Sequence, residues 1–509
     1  MSFKRLVTLL SGFLAFSCSG PTQTEQETPQ VGIFEEAPCP VQFPEPENKE
    51  HAARCGYVTV PEFHGDPNGR TLRLAVAVFP GTGDTVAPEP LVIAPPGPGT
   101  SAIANIGPEV ASGVGAPLRV LKDVVLIENR GLPLSEPALM CEEIVDSAFD
   151  RLQQNLSAEE TLDLQVQSIR ACRDRLRAEG INLDAFNFVE IAADMAMVMT
   201  ALKYQKFSIY GTSAGTIVAQ HALRTYPDRV SSVIIDSTAP LGRKTLQAEN
   251  PSNGVRALHL LFEACANDPA CSGHYPDLES KFDGVIAKLN EEPVTVSTQD
   301  PRTGEELKLV FNGDRLAEAL FMAVAQTSMI PVLPGFIHSL IQEDYQVLET
   351  IPWAAMPPMN FAHGLGHSAM CAEFNTLTEE DIVLEGRFPN FEDSLANMSW
   401  GPKALIKNCA VWDVKSLAPI TRTAVQSDVP TLILTGELDS MTPPAWSHDA
   451  AEHLSNGYVY EIPGFGHSAT FSGPCPASLA LQFLKDPTVA PDDSCISEMK
   501  ITFNVPSTD

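Results

Sequence analysis

Basic residues are few in this chain. Its 509 residues include 33 Lys and Arg against 64 Asp and Glu, which gives a formal net charge of −31 at pH 7. No cluster of Lys and Arg interrupts this acidic average. Because nucleic acids and anionic membranes attract basic surfaces, we expect neither to be recognised through charge.

Long apolar runs are also few. The run over residues 6–16 is too short to span a bilayer as a helix. It follows a basic start and precedes small residues, which is the layout of an export signal and predicts a signal peptide over 1–17. Residues 14–18 also resemble the bacterial lipoprotein signal. This resemblance implies that Cys18 is lipidated and anchors a periplasmic or cell-envelope lipoprotein to the membrane, with plain secretion as the alternative.

Repeats of solenoid length and coiled-coil patterns are absent, which excludes those two architectures. Cysteine, in contrast, is frequent: there are eleven, and ten remain when Cys18 is set aside. An even number in an exported chain predicts disulfides, with buried free thiols as the alternative. Each bridge would contribute roughly 2–4 kcal/mol. The simplest pairing joins sequence neighbours: Cys39–Cys55, Cys141–Cys172, Cys265–Cys271, Cys371–Cys409 and Cys475–Cys495.

Residues 18–50 are rich in Pro, Glu, Gln and Thr, which predicts a tether that becomes ordered near Cys39. Strand-like segments then alternate with helical stretches, and this alternation predicts a mostly parallel α/β sheet flanked by helices. The predicted strands are 56–60, 72–79, 91–94, 123–128, 207–210, 230–235, 431–435 and 458–462.

The strand pattern is interrupted in the middle of the chain. There the sequence offers amphipathic helical pieces, such as 256–266 and 315–325, joined by Pro-rich segments. We interpret this part as a largely helical inserted cap. The predicted cap covers residues 241–426. The predicted core is therefore built from the two segments that flank it, 51–240 and 427–509.

Residues 211–215, Gly-Thr-Ser-Ala-Gly, follow a predicted strand and open a predicted helix. Small residues around a serine permit the tight turn that exposes its hydroxyl as a nucleophile, so Ser213 is the candidate; a glycine-rich strand-to-helix turn without chemistry is the alternative. A serine hydroxyl needs a base, and the base needs an acid to orient it. Late loops supply both, with His467 as base and Asp439 as acid, or Glu437 as the fallback acid.

Acyl transfer also requires two N–H donors for the oxyanion of the transition state. One is expected from the backbone of Ala214, directly after the nucleophile. The other is expected from the loop after the strand at 91–94, where prolines cannot donate and Gly97 is the better source.

His363 and His367 have a spacing that would suit a metal site on a helix. Two glycines stand between them and argue against a helix, and no further ligand of the zinc-protease kind lies nearby. We therefore expect a cap loop here, and we expect neither a metal nor a cofactor.

Four motifs in chain order resemble the prolyl and tripeptidyl aminopeptidase branch of the α/β-hydrolases, which are exo-acting serine peptidases. The first two positions of the first motif, and Glu128 in place of Asp, depart from the family pattern. The resemblance implies an α/β-hydrolase fold with the catalytic set Ser213, Asp439 and His467. The motifs are Pro95-Pro96-Gly97-Pro98-Gly99, Glu128-Asn129-Arg130-Gly131 with Ser135, Gly211–Gly215 with Thr216, and Gly436-x-x-Asp439-x-x-Thr442-Pro443 with Gly466-His467.

The tripeptidyl-aminopeptidase-like subgroup is also similar in having a cysteine followed by an acid in the cap, here Cys371-Ala372-Glu373. An aminopeptidase must neutralise the terminal ammonium of its substrate, which a carboxylate does by a charge-assisted hydrogen bond. Glu373 is our candidate for that role, with a solvated surface carboxylate as the alternative.

The resulting hypothesis is an exported serine hydrolase that releases amino acids or short peptides from peptide N-termini through an acyl-enzyme. A carboxylesterase acting on small acyl substrates would use the same catalytic residues. Two alternatives lack catalysis: a silent hydrolase-fold protein used for binding at the cell surface, and an interaction or sugar-binding lipoprotein with a fortuitous serine motif.

Overall fold

The computed structural model describes residues 30–243, 246–351, 356 and 358–506. The predicted signal peptide, Cys18 and the first part of the predicted tether lie outside the described residues. Ordered structure begins earlier than Cys39, because β1 (Phe34–Ala37) pairs with the first long strand. The pairing is close: a Cβ on Gly56 would lie 2.7 Å from the ring of Phe34.

Nine strands form one sheet in the described part of the chain, and each predicted strand has its counterpart there. The spatial order is β1-β2-β3-β5-β4-β6-β7-β10-β11. Pairing is antiparallel from β1 to β5 and parallel from β5 onwards. After β1 the strands are β2 (Arg54–Pro61), β3 (Thr71–Phe79), β4 (Ala87–Ala94), β5 (Lys122–Ile127), β6 (Phe207–Thr212), β7 (Val230–Asp236), β10 (Thr431–Gly436) and β11 (Gly457–Ile462).

Helices connect the strands and build the insertion between β7 and β10. Within the residues described, no helix has the length and apolarity needed to cross a bilayer. The α-helices are α1 (Ala102–Ser112), α2 (Glu142–Leu152), α3 (Ala158–Ala178), α4 (Phe188–Ala201), α5 (Ala214–Thr225), α6 (Asn250–Asn267), α7 (Pro269–His274), α8 (Leu278–Glu291), α9 (Gly313–Val324), α10 (Leu333–Ile341), α11 (His363–Phe374), α12 (Pro389–Asn397), α13 (Pro402–Trp412), α14 (Pro444–Ala451) and α15 (Pro474–Lys485). Single 3-10 turns occur at Lys49–His51, Ala116–Val120, Leu183–Ala185, Leu246–Glu249, Tyr345–Thr350, Glu379–Asp381, Pro419–Arg422 and Ser494–Glu498.

The sheet is covered on both faces. Along β3, Val76 and Val78 belong to an apolar cluster shared with α4, α5 and α14, whereas Ala77 and Phe79 belong to a cluster shared with α1 and α15. Burial on both faces explains why these strands consist of nearly continuous apolar residues.

The insertion packs in two places. Its helices α6, α8, α9, α10 and α12 form most of a third apolar cluster, which also includes Phe149 and Leu152 of α2. Helices α11 and α13 contribute instead to the cluster beneath α4 and α5. The insertion also contains a hairpin, β8 (Val294–Gln299) with β9 (Glu306–Phe311), which the sequence analysis missed. Alternate residues of β9 are buried, namely Leu307, Leu309 and Phe311, and this short period-two pattern was its signal.

The prediction of a loop around His363 and His367 is wrong, because both residues lie on helix α11. Close packing explains the glycines that seemed to argue against a helix. A Cβ on Gly364 would lie 2.7 Å from the carbonyl oxygen of Leu139, and one on Gly366 would lie 3.1 Å from the ring of Phe361. The glycines cost helix propensity, but they allow the helix to approach its neighbours.

All five predicted disulfide pairs are present. Cys39–Cys55, Cys141–Cys172, Cys265–Cys271, Cys371–Cys409 and Cys475–Cys495 have Cα–Cα distances between 4.9 and 5.9 Å. The alternative of buried free thiols is therefore wrong for these ten cysteines. Disulfides of this number are typical of proteins in oxidising compartments.

Candidate active site

Ser213 occupies the sharp turn between β6 and α5. Its φ of +54° is in the left-handed region, which is unfavourable for a residue with a side chain. Hydrogen bonds hold the turn: the Ser213 amide donates to the Asp236 carbonyl oxygen at 3.0 Å, and the Thr216 hydroxyl donates to the Ser213 carbonyl oxygen at 2.6 Å. This geometry is the one expected of an exposed nucleophilic serine.

Two glycines make room for this turn. A Cβ on Gly211 would lie 2.6 Å from the carbonyl oxygen of Gly215, and a Cβ on Gly215 would lie 2.2 Å from the carbonyl oxygen of Ala94. Backbone atoms cannot yield at such distances. The sequence pattern around Ser213 is therefore required by how closely α5 approaches the ends of β4 and β6.

Asp439 and His467 face each other on the loops that follow β10 and β11. His467 Nδ1 lies 2.9 Å from Asp439 Oδ2, and the Asp439 side chain is fully buried. Because β6, β10 and β11 run parallel in one sheet, their carboxyl ends meet at one edge, where Ser213 also stands. The structure thus brings the sequence-predicted serine, acid and histidine to the same edge.

The pairing shifts both pKa values. Burial lowers the pKa of His467, but the charge of Asp439 and the hydrogen bond to it outweigh burial, so the pKa ends above its ordinary value. Burial likewise raises the pKa of Asp439, but His467 and the surrounding donors bring it below its ordinary value. An imidazolium facing a carboxylate is the charge state that this contact stabilises.

Donors around Asp439 fix its orientation. The amides of Met441 and Thr442 both donate to Oδ1 at 2.9 Å, and the Thr442 hydroxyl donates to Oδ2 at 2.7 Å. Glu437, the fallback acid, is engaged elsewhere, because its Oε2 accepts the Gly464 amide at 2.7 Å. Of the two carboxylates considered from the sequence, the structure places Asp439 against His467.

Ser213 opens onto a cavity of about 400 Å³, a size typical of small-ligand sites. Gly97 and Ala214, the two predicted oxyanion donors, line the same cavity. Gly97 has a φ of +65°, a conformation that favours glycine. Much of the wall is apolar. Five methionines, whose unbranched side chains adapt to the shape of a ligand, contribute to it: Met322, Met356, Met370, Met398 and Met441.

Family comparisons agree with this arrangement. Residues 90–254, which include Ser213, match the model described as alpha/beta hydrolase fold. Residues 395–495, which include Asp439 and His467, match the model described as TAP-like protein. The chain has the α/β-hydrolase fold.

Relatives of this hydrolase carry names from peptidase and esterase chemistry. Serine protease Hip1 of Mycobacterium tuberculosis is 26% identical over 451 residues, covering 83% of this chain and 82% of that protein. Carboxylesterase B of the same species is 25% identical, covering 49% of each chain. Tripeptidyl aminopeptidase of Streptomyces coelicolor is 28% identical, covering 36% of this chain and 35% of that protein. Together these names support a serine hydrolase.

The structure does not bring Glu373 to the Ser213 cavity. On α11 the side chains of His363, His367, Met370 and Phe374 line that cavity, and Glu373 lies roughly a quarter turn around the helix from them. Its carboxylate is 2% exposed, lies 3.5 Å from His221 Nε2 and borders a separate cavity. The surface-carboxylate alternative is also wrong, because the side chain is buried.

A different carboxylate, Glu318 of α9, lines the Ser213 cavity beside Arg151 and Gln165. Burial raises the pKa of Glu318, although hydrogen bonds from Ser399 and the charges of Arg151 and Arg315 oppose that rise. Glu318 was not predicted from the sequence. Its signal was a single acid within the predicted helix 315–325, in which Arg315 is the other charged residue.

His363 and His367 also line the cavity, and both imidazoles are neutral near pH 7. Burial lowers the pKa of His363 to about 4 and that of His367 to about 3. In the part of the chain that the structure describes, no group of three or more potential metal ligands occurs.

Two further residues that sequence reasoning missed support the catalytic loops. Asp236, at the end of β7, accepts the amides of Ala469 and Thr470 at 3.0 and 2.8 Å and so anchors the loop after His467. Arg256 of α6 donates to the carbonyl oxygens of Glu437 and Asp439 at 2.7 and 2.6 Å. The insertion therefore holds the loop that carries the acid.

Proposed function

We propose that this hydrolase is an exported serine aminopeptidase in which Ser213 is the nucleophile, His467 the general base and Asp439 the orienting acid. The contact that carries the proposal is the 2.9 Å approach of His467 Nδ1 to Asp439 Oδ2, at the sheet edge that bears the strained Ser213 turn. A serine hydroxyl becomes nucleophilic only with such a supported base.

In the proposed reaction, Ser213 Oγ attacks the acyl carbon while His467 takes the hydroxyl proton. The backbone amides of Gly97 and Ala214 stabilise the oxyanion, each contributing about 3 kcal/mol to transition-state binding. His467 then protonates the leaving nitrogen as the C–N bond breaks, and an ester to Ser213 remains. Water, deprotonated by His467, releases the acyl group and restores the hydroxyl. The proposed steps use neither a metal nor a cofactor.

Recognition of a free amino terminus requires a carboxylate near the acyl portion of the substrate. Glu318 supports this requirement, because it is a carboxylate in the wall of the Ser213 cavity. Glu318 therefore takes the role that the sequence analysis assigned to Glu373.

A carboxylesterase is the second candidate. The methionine-rich wall of the Ser213 cavity favours apolar acyl groups, and small esters need no ammonium site. One of the relatives is named carboxylesterase B. Both candidates share the proposed catalytic residues and differ in what the cavity admits.

The deciding experiment measures turnover of free and N-acetylated aminoacyl, prolyl and tripeptidyl amides, beside short-chain esters. For an aminopeptidase we expect amide turnover that requires a free amine and disappears in Ser213→Ala. Glu318→Gln should raise KM for free-amine substrates about tenfold or more and leave N-acetylated esters within about twofold of wild type. Turnover of esters alone would assign the protein to the esterases.

Export is part of this proposal. The five disulfides support it, since such bonds persist in oxidising compartments. Lipidation of Cys18 would then tether the enzyme to the membrane, whereas simple cleavage of the signal would release it.

A further inference from the structure

A second cavity, of about 430 Å³, adjoins the one that holds Ser213. Met322 and Met441 line both cavities, whereas His467 lines the second. We name it the leaving-group cavity; its wall consists of Met322, Ala325, Gln326, Thr327, Ser328, Met441, His467 and Ser472. The candidate nucleophile and the candidate base thus open towards different spaces.

The chemistry of acyl transfer indicates which part of a substrate each of the two cavities would bind. The acyl portion becomes bonded to Ser213, and the histidine delivers a proton to the nitrogen that departs. The departing portion must therefore lie on the histidine side. We propose that the leaving-group cavity binds the part of a peptide that follows the cleaved bond, an inference that rests on the proposed peptidase function.

Backbone hydrogen bonds connect the wall of this cavity to the loop that carries His467. The His467 amide donates to the Ala325 carbonyl oxygen at 2.6 Å, and the Gly466 amide donates to the Thr327 hydroxyl at 3.1 Å. A Cβ on Gly466 would lie 2.2 Å from that Ala325 oxygen, so glycine is needed for the approach. A segment held this way keeps a constant position relative to the proton that His467 transfers.

The side chains of the leaving-group cavity indicate what it binds. Gln326, Ser328 and Ser472 are exposed neutral hydrogen-bonding groups. Among the described residues of this wall there is no Lys or Arg, and the whole chain is strongly acidic. A neutral peptide amide finds partners here, whereas a free α-carboxylate finds neither Lys nor Arg in this wall. The expected substrates are peptides that continue beyond the first departing residue.

Interception of the acyl-enzyme tests this inference. An acyl-enzyme formed from an ester substrate is offered leucinamide or leucine, each at the same concentration of unprotonated amine. The amine nitrogen attacks the acyl carbon, the C–N bond forms, the bond to Ser213 Oγ breaks, and His467 moves the amine proton to Oγ. The ratio of aminolysis to hydrolysis reports binding in the leaving-group cavity. We expect leucinamide to exceed leucine about threefold or more.

A charge substitution makes the test specific. Gln326→Arg supplies the missing cation and should raise the ratio for leucine about threefold, the effect of one exposed ion pair. Gln342→Arg changes an exposed glutamine beyond α10 and serves as the matched control, with both ratios as in wild type. Equal ratios for the two amines in wild type, or equal behaviour of the two variants, would overturn the inference. Absence of any Ser213-dependent acyl-enzyme would instead refute the proposed function as well.

Discussion

At the scale of single residues, the acid beside His467 determines the charge state of the site. Asp439 accepts two amides, one hydroxyl and the imidazole, so its carboxylate has little freedom to turn away. Because Asp439 raises the pKa of His467, the imidazole accepts a proton more readily than an isolated histidine. A stronger base is the chemical benefit of the pair.

This pairing predicts a pH dependence. In the proposed mechanism only neutral His467 acts as base, so kcat/KM should increase with pH through the raised pKa of His467, with its midpoint above 6.5. Asp439→Asn removes the charge that raises this pKa. Its midpoint should therefore move to lower pH while the plateau falls by about 10⁴. A pH–rate profile of both proteins checks this, and an unmoved midpoint would contradict it.

Some site residues were readable from the sequence and others were not. Ser213, Asp439 and His467 each follow a strand and stand among turn-forming residues, so local pattern placed them. Glu318 and Arg256 lie in the middle of insertion helices, and Glu373 was assigned by resemblance alone. Which face of a helix meets a cavity depends on the packing of the whole insertion. Local sequence carries no such information.

At the scale of elements, some helices and strands could likewise be predicted from local sequence and others could not. Long apolar strands and helices with regular spacing were predicted, whereas the hairpin of β8 and β9 and the helix α11 were missed. In α11, glycines that disfavour an isolated helix are required by contact with Leu139 and Phe361. Tertiary packing therefore outweighs local propensity at this element.

Two glycine substitutions compare the effect of helix propensity on stability with the effect of tertiary packing. Gly284→Ala, in the interior of α8 with no atom within 4 Å of the new Cβ, should raise the free energy of unfolding by up to about 1 kcal/mol. Gly364→Ala meets the Leu139 carbonyl oxygen at 2.7 Å and should lower that free energy by about 1–3 kcal/mol. Denaturant unfolding of both variants checks the opposite signs. Stabilisation by both substitutions would show that α11 can accommodate a Cβ at position 364 and would contradict the packing explanation.

At the scale of the whole molecule, charge acts over distances that single contacts do not reach. A formal net charge of −31 creates a negative field that attracts cations and repels anions. A peptide with a free amino terminus arrives as a cation at that end. Net charge has little influence on which fold the chain adopts. Its value follows directly from the sequence.

Salt should therefore affect substrates unequally. Raising the ionic strength from 0.01 to 0.5 M is expected to lower kcat/KM for a substrate with a free amine about twofold or more, because the field is screened. The N-acetylated ester of the same acyl group is the uncharged control and should stay nearly constant. Equal salt effects on both substrates would assign the change to the enzyme rather than to attraction.

The order of the strands has a consequence for synthesis. Ser213 precedes Asp439 and His467 by more than two hundred residues, and β10 pairs with β7 across nearly two hundred residues. A chain in which only the part up to β7 has been synthesised therefore has the proposed nucleophile without the proposed base. We expect such a chain to be inert, because of the order in which these residues are made.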